Sequence, residues 1–272
     1  CQNGRRALSS PSLTRHALLI GTILGAGVLI APAAQAADQT FTFTTSQTDS
    51  ISKTVSGADN LTITTSGAGT VSVSGDYAIK MEGGTGTLKA DINANVTTDF
   101  VGVGAGSNGG TVIVTGSGDI SSTDGPDAAI DVGNFLSSGS ASVTISGTGK
   151  TTAASEYFST ITVVASGTIL INRSGDITNT ATAGSGGGIR AASYSVLGVS
   201  SDITITGIGK VTSNGTAITA IGGSSSHTAG NIDIGGVNGL NKAVTSTGAD
   251  GISATTWGSK TINIKTLSLI HI

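Results

Sequence analysis

The chain has 272 residues, 42 of them glycine, with 3% aromatic residues, 11% charged residues and a formal net charge of −3. Apolar residues make up 37%, below the roughly 45–50% of ordinary globular domains, which excludes a round core of bulky side chains. A mean hydropathy of +0.24 and short alternating runs of Val and Ile exclude a disordered, highly charged polymer, and the acidic balance offers nothing to nucleic acid.

The first predicted element is a targeting segment, residues 1–36. Arg5, Arg6 and Arg15 form a basic region without an acid, followed by the apolar run "ALLIGTILGAGVLI" from Ala17 to Ile30. "APAAQA" then places small residues at Ala34 and Ala36, so cleavage is expected between Ala36 and Ala37. The run is shorter than the about 20 residues of a membrane helix, so a helical Sec signal peptide is preferred to an uncleaved anchor. "ALSSPSLTRH" separates the arginine pair from the apolar run, which argues against a twin-arginine signal. The chain starts with Cys1 rather than Met, and the frame is expected to extend upstream.

From Ala37 onward ten Lys and Arg face sixteen Asp and Glu, a net charge of −6. Cysteine occurs only at Cys1. An exported chain of this length that uses no disulfide staple suits threading through a narrow pore in the unfolded state.

Residues 37–266 read as a repeat. An apolar anchor stands at Val114, Ile145, Ile171, Ile205 and Ile234, at spacings of 31, 26, 34 and 29 residues. Six positions after each come Ile120, Thr151, Ile177, Val211 and Leu240. Between them lie Gly118, Gly149, Gly175, Gly209 and Asn238, residue types that tolerate positive φ. The unit therefore reads strand, tight turn, strand. A third strand fits at Ile79, Ile130, Ile161, Ile189, Ile218 and Ile252, and a looser pair of units surrounds Ile63 and Ile92. Three short strands per unit at an irregular period predict an all-β fold, a right-handed parallel β-helix (β-solenoid). At about 4.8 Å per coil, about eight coils make a rod of about 40 Å. Propeller blades would repeat more regularly with aromatic signatures, a sandwich would show no internal phrase, and no amphipathic helix supports a βαβ arrangement.

Chemistry-bearing motifs are sparse. "GAGSNG" (Gly104 to Gly109) is a formal G-x-G-x-x-G, but a strand follows where a helix is required, so a turn is expected. "GGTGTLKAD" (Gly83 to Asp91) has Leu88 where a calcium nonapeptide needs Asp, and Asp119 and Asp176 read as solvated turn acids. No metal or cofactor is expected. The densest acidic cluster is "DGPDAAID", with Asp124, Asp127 and Asp131. Its enzymatic reading has Asp124 and Asp127 as acid and base across a glycosidic bond; its ordinary reading is a Pro-Gly turn that attracts Asp. His227 stands in a loop without triad partners, and packing is the more frequent role for Tyr157 and Trp257, exposed contact the alternative. The last six residues, "LSLIHI" (267–272), fit the translation of CTGTCTCTTATACACATC and are expected to be sequencing-adapter read-through that interrupts a repeat.

The signal segment, the cysteine-free Gly/Ser/Thr-rich units and phrases such as "TGADGISATTWGSKTINI" resemble the passenger region of bacterial autotransporters (type V secretion), pertactin-like and adhesin passengers in particular. The resemblance covers nearly all of residues 37–266 and is one of style. It implies export through Sec to the surface, outer membrane or exterior of a Gram-negative bacterium. It also implies an outer-membrane β-barrel beyond the C-terminus, and barrel strands with aromatic girdles are lacking here. The function it implies is a non-enzymatic scaffold for adhesion, self-association or display. Partners would be a surface ligand, other cells or a second copy, and affinity would come from outward Thr, Ser and Asn or from loops near Ser107 and Ser185. A secreted β-helix polysaccharide lyase or hydrolase is the alternative, and a surface-layer or matrix component a third.

Overall fold

The computed structural model describes residues 37–67, 69–124, 127–133, 142–194, 201–223 and 229–266. Ala36, His227 and residues 267–272 lie outside them. The described residues form a parallel β-solenoid of about seven turns with no helix. Three parallel sheets of nine, seven and eight strands run along it, and each complete coil contributes one strand to each. The count falls below eight because the two end coils give the second face no strand, the first reaching it only through the bridge Gln47–Val71 and the last adding only the bridge Leu240–Thr266 to its first-face strand.

The strands are short because each carries only two or three inward positions before a corner. Alternation sorts the side chains: Ile203–Ile205 buries both isoleucines and turns Thr204 outward, and Ile232–Ile234 does the same with Asp233. On the first face Val114, Ile145, Ile171, Ile205 and Ile234 are consecutive partners in one ladder. Ala90, not Ile92, continues that ladder below Val114, and Ile264 continues it above Ile234. On the third face one ladder runs Ile51, Ile79, Val103, Ile130, Ile161, Ile189, Ile218, Ile252. All five first-face anchors are fully shielded from solvent. Burying each such side chain contributes roughly 1.5–3 kcal/mol.

The second face corrects two expectations. Ile120, Thr151, Ile177 and Val211 stack as one row, but the next partner is Val244, not Leu240. The corner after Ile234 is longer there, turning through Gly235, Gly236 and Gly239 at positive φ, so Leu240 is displaced to a bridge with Thr266. The glycine column of the corner also has a different cause from the one expected. Gly118, Gly149, Gly175 and Gly209 do not adopt positive φ. A Cβ at Gly149 would lie 1.9 Å from the Gly118 carbonyl oxygen, and one at Gly175 2.1 Å from that of Gly149. Close approach of successive backbones excludes every other residue type.

Positive φ belongs instead to the position two residues earlier, at Gly116, Gly147 and Gly207. In the coil between the last two, that position is Arg173, fully buried. Its side chain turns into the core. Nε donates to Thr151 Oγ1 at 2.7 Å, Nη1 to the Ser146 carbonyl at 3.2 Å, and Nη2 to the carbonyls of Gly118 at 2.8 Å and Lys150 at 3.4 Å. Loss of hydration pulls the guanidinium pKa down to about 10, against the raising influence of Asp119. Thr151, the polar member of an otherwise apolar row, is explained by the bond it accepts.

At the first coil Lys53 occupies the position paired with the buried Met81, and its Nζ sits 4.4 Å from the Phe41 ring centroid. A charge at an inward position shields the last ring of the core from water and discourages edge pairing. The opposite edge carries Ile262 and Ile264, 39% and 44% exposed.

The ladder predicts position-dependent costs. Ile171→Ala should lower unfolding free energy by about 2–5 kcal/mol in a urea titration, whereas Ile264→Ala should cost under about 1 kcal/mol. Equal losses would deny the stacked core. Arg173→Met, which removes four hydrogen bonds of a buried cation, should cost about 2–4 kcal/mol in the same measurement; a neutral result would show that apolar packing replaces them.

Candidate functional site

Three cavities lie along the third face. Its strands project alternate residues outward, and in the coil of Val103–Ser107 those outward residues are Gly104 and Gly106. The neighbouring strands carry Lys80 and Glu82 on one side and Asp131 on the other, in register with the glycines. A strand without outward side chains between two that have them leaves a slot one strand wide. "GAGSNG" is therefore mostly strand, not turn: only the residues after Ser107 bend, with Gly109 at positive φ.

Tyr77 closes one end of the slot. A Cβ on Gly104 would stand 2.4 Å from Tyr77 Cε1, so the ring rests where any larger residue would put its side chain. The Tyr77 ring meets Phe100 edge-on at 5.2 Å and 79°, which fixes its tilt. Lys80 Nζ lies 5.6 Å from the ring centroid and 2.8 Å from Glu82 Oε1. The bond to Glu82 holds the lysine pKa up. Tyr77, Lys80, Glu82, Gly104, Gly106 and Asp131 line a cavity of about 300 Å³. Glu82 and Gly106 also line a second, of about 430 Å³, with Thr54, Val55, Ser56 and Asn108.

The acidic candidates divide. Asp124 is exposed, with Gly125 and Pro126 outside the described residues. Asp127 is partly buried; among the described residues its Oδ2 has no hydrogen-bond partner, and desolvation raises its pKa. Asp131 alone of the three lines the slot. Burial pushes its pKa up to about 6; Asp127 adds to the rise, and Arg190 opposes it. The Tyr77 phenol is raised as well, first by burial and then by Asp131. The pair set across a bond in the enzymatic reading, Asp124 and Asp127, therefore does not face into this cavity.

Tyr157 and Trp257 stand 70% and 47% exposed, so neither plugs the coil interior. Tyr157, Phe158, Ser185 and Arg190 line a further cavity of about 290 Å³ on the same face. Ser185 is exposed at its rim, whereas Ser107 is buried and closes a turn, donating to the Gly84 carbonyl at 2.9 Å and accepting from Gly110 N at 2.7 Å. Asp119 and Asp176 are exposed yet engaged: their Oδ1 atoms accept the backbone N–H of Lys150 at 2.7 Å and Lys210 at 3.1 Å, one coil on. Among the described residues no three His, Cys, Asp or Glu side chains converge to hold a metal.

Sequence reasoning missed Tyr77, Lys80, Glu82 and the glycine floor. The signal was present in "VGAGS": glycine at every second residue of a strand empties one face and leaves the other packed.

No family model matches the chain, and no curated protein and no solved structure matches it.

Burial of Asp131 has a thermodynamic sign. Its folded-state pKa is raised from 3.8 to about 6, so folding favours the protonated acid. The stability it contributes is present below pH 3.8 and is lost as pH rises toward 6. Asp131→Asn should thus raise stability at pH 7.5 by about 1–3 kcal/mol and change little at pH 4, read by urea titration at both values. A variant less stable at pH 7.5 would mean that Arg190 outweighs the loss of hydration.

Proposed function

We propose that the chain is the exported, surface-displayed part of an autotransporter-type protein, a non-enzymatic β-solenoid that binds other surfaces through its third face. The observation that carries this reading is a row of cavities along the third face. Three lie against its strands, among outward side chains that the coil-to-coil hydrogen bonds leave free to vary. The basic, apolar and small-residue segments of residues 1–36 support export through Sec. Coils that need only their neighbours can fold one after another as they emerge, which suits secretion in the unfolded state.

A second reading, a β-helix glycan lyase or hydrolase, is favoured by one observation: Asp131, with its pKa near 6, has the protonation behaviour of a general acid. It lacks a carboxylate placed across the slot: the register sets Lys80 opposite Asp131 over Gly104, and the other acid of the slot, Glu82, is bound to Lys80.

Two measurements separate the readings. Cells expressing the chain in its full reading frame should expose it to added protease and adhere to a partner surface better than cells without it. Protection from protease in intact cells would defeat the surface assignment. Turnover of acidic or neutral polysaccharides, abolished by Asp127→Asn or Asp131→Asn, would put the enzyme first.

A further inference from the structure

We propose that the slot over Gly104 and Gly106 is a docking site for an arginine side chain presented by a partner protein, held by Tyr77 and Asp131. The proposal rests on the reading of the third face as a binding face and names what that face binds.

Shape comes first. The slot spans two strand spacings, roughly 10 Å between the flanking backbones. Its open floor is the backbone of Gly106, and its end wall is the Tyr77 ring, which covers Gly104 and whose tilt Phe100 fixes. A flat group enters such a slot more readily than a branched or bulky one. The second cavity continues from the first through Glu82 and Gly106, which gives room for the residues beside an inserted side chain.

Charge selects a cation. The carboxylates of Asp131, Asp127 and Asp76 all act on Tyr77, and Lys80 opposes them. Lys80 is itself held by Glu82 at 2.8 Å. From above, Arg190 faces Asp131 across Thr162. Asp131 therefore sits desolvated with no described cation in salt-bridge contact, because Lys80, opposite it across Gly104, is paired with Glu82. A guanidinium satisfies both partners at once: it is planar and always charged, it pairs with a carboxylate through two parallel bonds, and it stacks on an aromatic face. An ammonium offers neither the plane nor the fork. The net charge of −6 from Ala37 onward favours the approach of basic partners to the molecule as a whole.

Burial of Asp131 adds a pH dependence. The carboxylate must be ionised to pair, so binding weakens as pH falls through about 6. Asp127, Asp76, Glu82, Tyr77, Lys80 and Arg190 are the other charged or titratable groups around it.

The test is calorimetric titration of the purified chain with a blocked Gly-Ser-Arg-Ser-Gly peptide and its lysine and citrulline analogues. The arginine peptide should bind saturably at pH 7.5 with a Kd of roughly millimolar or tighter. The lysine analogue should bind several-fold more weakly, and citrulline, neutral and of the same shape, should not bind. Asp131→Asn and Gly106→Leu should each weaken binding at least about tenfold. Asp91→Asn, the same charge change on the first face, should stay within about twofold. Asp131→Asn is expected to fold at least as well as the parent, so it decides the matter even if Gly106→Leu does not fold. Equal binding of citrulline, equal loss in Asp91→Asn, or no saturable binding at all would overturn the proposal. Cell adhesion that survives Asp131→Asn would overturn the arginine site and leave the binding face standing. Peptide binding without surface exposure would uphold the site and defeat the surface assignment.

Discussion

Coil-to-coil backbone pairing is the constraint from which the rest follows. Every strand of the described residues is parallel to its neighbour and bonded to the coil before or after it. That spacing, about 4.8 Å, is set by amide geometry and admits no adjustment for side-chain size. Inward residues must therefore stack on residues of similar shape, and corners must let two backbones pass almost in contact. The glycine column through Gly118, Gly149, Gly175 and Gly209 is the direct record of that approach. The corner acids record it too. Asp119 and Asp176 are hydrogen-bond acceptors for the coil that follows, although both stand in water.

This explains which parts of the architecture could be read from residues alone. The isoleucine and valine ladders were legible because burial and parallel register restrict those positions to apolar, mostly β-branched types. Val244 was not, because glycines lengthened the corner before it and moved Leu240 out of the row. The glycines of the corner were recognised, but their cause is an inter-coil contact that no single coil displays. Arg173 reads as an ordinary polar residue until its neighbours in space are known.

The third face was less legible for a related reason. Tyr77, Glu82, Gly106 and Asp131 come from three successive coils, and only the register brings them together. Sequence singled out the acidic cluster around Asp127 by density. Space selects one member, Asp131, and joins it to an aromatic ring and a glycine floor found well before it in the chain. The cost of keeping Asp131 desolvated fits a binding surface, since a ligand that supplies positive charge recovers it.

Arg173 has a mechanical consequence. Its guanidinium reaches from its own coil past the coil of Ser146 and Lys150 to the carbonyl of Gly118, 55 residues back along the chain. Elsewhere windings detach one at a time, each release costing only its contacts with the next. Here a single side chain clasps three of them, so peeling from either end meets a step at which neighbours must let go together. A molecule built from near-identical layers thereby acquires a midpoint with its own resistance to force.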